Sequence, residues 1–200
     1  MNLSCLIILV HSNRCRHVWT SWWHLSDNGF CCIHPRPSAV LLQDLRVRLT
    51  QRAEAPRFQQ LMQTHHDLGA LPKIGETLWY VATWREDGVA LLSFSAAAWT
   101  CAARDRWIGW PSRHQDDRVS LLANKSRFLI LPTWHRPNLA SRPLAWCQRR
   151  LSADWQERFG HPVLLLATVV DPTRFQGTLS NATNWISVGD TKGFRRTAHG

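Results

Sequence analysis

The sequence predicts an α/β domain: a mixed, largely antiparallel sheet flanked by helices. Three observations predict it. TLWYVATW (77–84) and VALLSFS (89–95) are rich in aromatic and aliphatic residues and flank the turn signal Glu86-Asp87-Gly88, so they read as a hairpin. RFLILP (127–132) and HPVLLLATVVD (161–171) read as buried strands joined by a long helix, and such a crossover makes a parallel pair inside an otherwise antiparallel sheet. The chain is 44% apolar and 19% charged, a balance that excludes a disordered chain, a collagen-like repeat and a coiled coil.

Each element has its own warrant. Leu41, Leu42, Leu45 and Leu49 recur at helical spacing, so Ser38 to Ala53 is predicted as a helix. Pro56 suits the first turn of a second helix, which runs through Phe58, Leu61 and Met62 to His65. LGALPKIGE (68–76) is a loop with Gly69, Pro72 and Gly75. After the hairpin, AAAWTCAARDRW (96–107) reads as a helix ending at Gly109. HQDDRVSLLANKSR (114–127) reads as a polar start and a short helix, and Pro132 stops the strand that follows. Asn138 is a natural N-cap for the long helix and Gly160 its expected C-cap, with Pro143 tolerable in the first turns. The continuous apolar run of 161–171 predicts a central strand covered on both faces. GTLSNATNW (177–185) reads as a short helix, and WISVG (185–189) as a last strand.

The first 37 residues have no helical or alternating period, and they are expected to lie outside the fold, leaving 38–200 as a single domain. LSCLIILV has the length of a signal-peptide core, but no basic residue precedes it and no small-residue cleavage pattern follows. His24, Cys31, Cys32 and His34 are close, yet without CxxC or HxxxH spacing, so no metal is expected. A segment rich in Cys and Trp but unpatterned reads as translated upstream sequence. The longest aliphatic or Cys run, Cys5 to Val10, is far short of the roughly 20 residues of a membrane span. Six Cys without paired motifs suggest reduced thiols and a cytoplasmic location.

The net charge is +10, and Arg supplies nearly all of the basic side chains. Arg forks suit phosphate and carboxylate, so an anionic partner, nucleic acid included, is expected. The 12 Trp read first as core, and a few as stacking platforms. No GxxxxGK(S/T), GxGxxG, HExxH or GxSxG occurs, and no spacing groups the acids. His65-His66-Asp67 ends a helix, where a His cation is favoured. RDRWIGW (104–110) is either a salt-bridged helix end or an anion site. PNLAS (137–141) opens the long helix, whose free N–H groups attract anions. Asn181 and Asn184 belong either to a polar turn or to a pocket wall.

Eight blocks carry a resemblance: HHDLG (65–69), GETLWYVATW (75–84), SFSAAAW (93–99), RDRWIGW (104–110), NKSRFLILP (124–132), PNLASRPL (137–144), RRLSADWQERFGHPVLLLATVVD (149–171) and RFQGTLSNATNWISVGDTKG (174–193). In this order they resemble the domain of the Druantia anti-phage protein family DruA, over about 55–196. Relatives of that domain also travel with insertion sequences, and some are labelled transposases. This chain departs from the family at Leu179-Ser180, where an aromatic and a small residue are usual, and at Asn124-Lys125, where an asparagine pair is usual. The family runs on past the final TxG, so the chain is expected to be truncated at its C-terminus, a fragment.

The element order also resembles the N-acetyltransferase (GNAT) superfamily. That resemblance makes RFLILP the splayed strand and PNLAS the pyrophosphate loop, although the superfamily's Gln/Arg-x-x-Gly-x-Gly/Ala loop is absent. Together the two resemblances imply an acyltransferase of a mobile-element or defence system acting on or near nucleic acid. Asn138, Leu139, Ala140 and Ser141 would then bind acyl-CoA phosphates, Arg104, Arg106, Asn181 and Asn184 the substrate or another anion, and Asp105 would be the base. The rival expectations are a non-catalytic DNA- or RNA-binding accessory of a transposase or defence system, partnered by its other proteins, and an inactive gene fragment. A strand transferase would need grouped acids.

Overall fold

The computed structural model describes residues 2–9, 44–72, 75–97, 101–110, 118–134, 139–175 and 178–192. In chain order the elements are β1 (Asn2–Leu9), β2 (Leu45–Leu49), α1 (Ala55–His65), β3 (Thr77–Trp84), β4 (Asp87–Ala96), α2 (Ala102–Ile108), β5 (Leu122–Ile130), α3 (Ser141–Phe159), β6 (Leu165–Val170), α4 (Thr178–Asn181) and β7 (Ile186–Lys192). The strands form one sheet in the order β2-β3-β4-β5-β6-β1-β7. Only β5 and β6 are parallel neighbours, and the other pairs are antiparallel. A mixed, largely antiparallel sheet flanked by helices is the predicted fold class.

Alternation across the strands sorts the helices onto two faces. Leu166 packs with Tyr80, Phe94 and the α3 residues Leu144, Cys147, Leu151 and Trp155, with Leu179 of α4 against them. Its neighbour Ala167 points the other way, towards Cys101 and Ala103 at the start of α2. On that second face α1 lays Phe58 and Met62 over Trp79, Val81, Leu91 and Leu129, and the Phe58 and Trp79 rings stack 4.6 Å apart. So α3 and α4 share one face, and α1 and α2 the other.

A polar tie crosses the α3 face. The Tyr80 hydroxyl donates to Asp154 Oδ2 at 2.7 Å. Arg150 donates to the same oxygen at 2.7 Å, to Oδ1 at 3.1 Å and to the Val47 carbonyl at 2.8 Å. Burial and this hydrogen bond push the Tyr80 hydroxyl pKa up. Nearer the other end of α3, His161 Nε2 lies 2.9 Å from Glu76 Oε1, clipping the loop before β6 to the start of β3.

Three expectations are corrected. Residues 45–49 are an edge strand, not the end of a helix, because Leu45, Val47 and Leu49 alternate with Arg46 and Arg48 and find backbone partners in β3. Residues 38–43 lie outside the described residues. Within 114–127, strand β5 already begins at Leu122 after one 3-10 turn. Residues 2–9 are inside the fold, where β1 fills the slot between β6 and β7 with the Cys5 side chain buried. Residues 10–37 lie outside the described residues. Among the described residues no helix is long and apolar enough to cross a membrane.

Candidate functional site

The parallel pair is short. Leu122, Ala123 and Asn124 of β5 face Leu165, Leu166 and Ala167 of β6, and there the pairing stops, although β5 runs on to Ile130. The cause lies on the opposite edge of β5. Phe94 pairs with Lys125 and Ser93 with Arg127, so Ser126 is an extra residue. Such a bulge bends its strand. The Ser126 hydroxyl fixes it by donating to the Ser93 carbonyl at 3.0 Å. Beyond Asn124 the two strands no longer pair; this unpaired stretch, the wedge, begins where the Thr168 hydroxyl donates to the Lys125 carbonyl at 3.3 Å.

Lys125 occupies this point. It shares a sheet face with Phe94, its partner across the bulge. Its ammonium lies 5.7 Å from the Trp185 ring centre and 6.0 Å from that of Phe128, within cation–π range. No carboxylate among the described residues is within ion-pair distance of it. Burial without a counter-charge pushes its pKa down to about 8. Trp185 is buried, and its indole N–H has no hydrogen-bond partner among the described residues.

The loop after α1 docks on β5 two residues beyond Lys125. Arg127 donates from Nε to the Gly69 carbonyl at 3.1 Å and from Nη1 to the Ser126 carbonyl at 2.7 Å. Gly69 has φ +64°, and a Cβ there would stand 3.0 Å from Gln63 Oε1. Glycine is therefore required for HHDLG to dock on β5. His66 accepts from the Leu68 N–H at 3.1 Å. Burial, then the Arg127 charge, hold its imidazole pKa below the ordinary value.

The sequence-predicted residues fall into separate places. Leu139 is buried and packs with Ile130, at the end of β5 towards which the wedge opens. Ala140 is the N-cap of α3 and has no side chain to accept from the helix, and Ser141 begins the helix. Asn138 lies outside the described residues. Asn181 and Asn184 are exposed near Trp185, and Asn184, at φ +63°, donates its N–H to the Asn181 carbonyl in the turn into β7. Residues 104–106 are across the sheet on α2. Arg104 and Asp105 are buried together, with Arg104 Nε 2.8 Å from Asp105 Oδ1. The Cys101 N–H donates to Asp105 Oδ2 at 2.9 Å, so this carboxylate caps its own helix. Arg106 is exposed. The two sets do not meet, because α2 and the start of α3 cover opposite faces.

Sequence reasoning assigned no role to Lys125, Thr168 or Trp185. A Lys at an apolar-facing position of a strand is the signal that points to Lys125, and the placing of β5 as helix up to residue 126 hid it.

A sequence model described as Druantia protein DruA matches residues 9–198, beginning well before residue 55. The search of curated proteins finds no match. Among solved structures, the chain is similar to a GCN5-related N-acetyltransferase from Kribbella flavida, with 9% identity and a TM-score of 0.53 over 97% of this chain. This chain spans only 59% of that one. It is also similar to a functionally unknown conserved protein from Staphylococcus epidermidis ATCC 12228, with 8% identity and a TM-score of 0.47 over 94% of this chain and 58% of that one. Likeness to the acetyltransferase is a likeness of fold.

Proposed function

The chain belongs to the DruA family of Druantia anti-phage proteins, and on that premise we propose that its domain is an acyltransferase holding an acyl-CoA thioester in the wedge between β5 and β6. The observation that carries this reading is the half-buried amine of Lys125, set against Trp185 and Phe128 with no carboxylate at ion-pair distance among the described residues. A pKa near 8 leaves a tenth or so of the amine neutral at pH 7, enough for a general base. In the reaction an acceptor amine attacks the thioester carbonyl and gives its proton to Lys125 Nζ. The C–S bond breaks, and the thiolate leaves with a proton from solvent or from the Lys125 ammonium. The acceptor gains the acyl group and no redox step is involved.

The surroundings fit the ligand. The N-cap of α3, Ala140, makes no side-chain cap hydrogen bond, and the positive end of a long helix suits a pyrophosphate. The Trp185 indole N–H is a spare buried donor. Lys125 takes the base role in place of Asp105, whose two oxygens are committed within α2. The acceptor class follows the strong positive charge: an amine on or near nucleic acid.

The test is thiol release from acetyl-CoA with a panel of primary amines, followed against pH. The rate is expected to rise about tenfold per pH unit and to level off above about 8. Lys125→Met is expected to lower it roughly a hundredfold or more. A flat profile, or a Lys125→Met variant as fast as the parent, would overturn the reading.

A further inference from the structure

We propose a second site: the groove at β2, the last strand of the sheet among the described residues, binds single-stranded nucleic acid. The groove has a volume of about 580 Å³ and is lined by Arg46, Arg48 and Thr83, by Arg85 and Glu86 at the β3–β4 turn, and by Trp146 of α3. It stands apart from Lys125, three strands away in the sheet, and does not rest on the acyltransferase reading.

Charge and aromatic surface alternate here. Arg48 is held in a two-pronged pair by Glu54, at 2.6 and 2.7 Å. Arg46 and Arg85 have no ion-pair partner among the described residues. The hairpin turn places Arg85 at φ +54°, a conformation that a bulky residue rarely adopts, and its guanidinium lies 4.5 Å over the Trp84 ring. Trp84 in turn meets Trp134 edge-on at 5.6 Å. On α3, Arg142, Trp146 and Arg149 follow at helical spacing, the two Arg exposed on either side of the groove-lining Trp146. Among the described residues Glu86 is the one acid lining the groove.

This pattern matches one polymer best. A single strand offers phosphates at a regular spacing for Arg46, Arg85 and Arg149, and free base faces for Trp146. A duplex hides those faces, and an acidic peptide lacks them. The edge carries two Arg on β2, so pairing with another strand is disfavoured, and the exposed Arg46 can meet a ligand.

The test uses the full chain and fluorescence anisotropy with a labelled mixed-sequence oligonucleotide of about 20 residues, its duplex and heparin as competitor, at about 50 and 200 mM salt. Arg46→Glu and Arg85→Glu are each expected to weaken single-strand binding about tenfold. Trp146→Ala is expected to weaken it about fivefold and to leave duplex binding within twofold. Arg106→Glu, with the same charge change at an exposed position of α2, is expected to stay within twofold of the parent. Thermal melting checks that each variant folds, and Arg149→Glu replaces any that does not. The proposal is overturned if the full chain does not bind at low salt, if Arg106→Glu weakens binding as much as the groove variants, if the duplex binds more tightly, or if Trp146→Ala has no effect.

Discussion

Lys125 and Asp154 show two fates of a charge drawn away from water. Asp154 is satisfied from both sides by Tyr80 and Arg150, and cutting it to Ala strands a buried hydroxyl and an anchored guanidinium. Asp154→Ala is expected to lose about 3 kcal/mol in urea unfolding, and Tyr80→Phe about 1 kcal/mol. Lys125 has no such partner. Its amine titrates near 8 in the fold and near 10.4 when unfolded, so the unfolded chain binds more protons between those values. Stability therefore rises with pH across that window, and the penalty is fully present below about 8. Lys125→Met is expected to gain about 1 to 3 kcal/mol at pH 7 and nothing beyond pH 10.5, as read by urea midpoints at both pH values. The residue roles were the least legible part of the sequence. Arg104 and Asp105 were visible as a cluster, but adjacency in sequence does not tell a ligand site from a buried self-capping pair.

At the scale of elements, legibility followed length. The long helix ends at Gly160, which is left-handed at φ +83°, as its sequence signal predicts. The hairpin strands are also where the aromatic and β-branched runs place them. Five residues, Leu45 to Leu49, satisfy both a helical and an alternating pattern, and pairing with β3 decided between them. Strand β1 was illegible for a different reason: its partners, β6 and β7, lie more than 150 residues away in the chain. Cys5 tests it. The side chain is 1% exposed, its Sγ lies 3.6 Å from that of Cys101, and burial pushes its thiol pKa up to about 12. Cys5→Asp puts a carboxylate into that apolar contact and is expected to destabilise the protein by several kcal/mol. An unchanged melting temperature would mean that β1 does not sit between β6 and β7.

At the scale of the molecule, fold class was legible because a hairpin followed by strand, long helix and strand permits few sheets. The division of the helices between two faces was not, since it depends on which side chain of each strand points up. That division separates residues 104–106 from the start of α3 and moves the candidate site to the wedge. The most direct measurement is hydrogen exchange of the full chain with and without acetyl-CoA, read by mass spectrometry peptide by peptide. The wedge account predicts added protection in β5 beyond Asn124 and in the first turns of α3, with α2 unchanged. Protection on α2 instead, or none anywhere in folded protein, would contradict it.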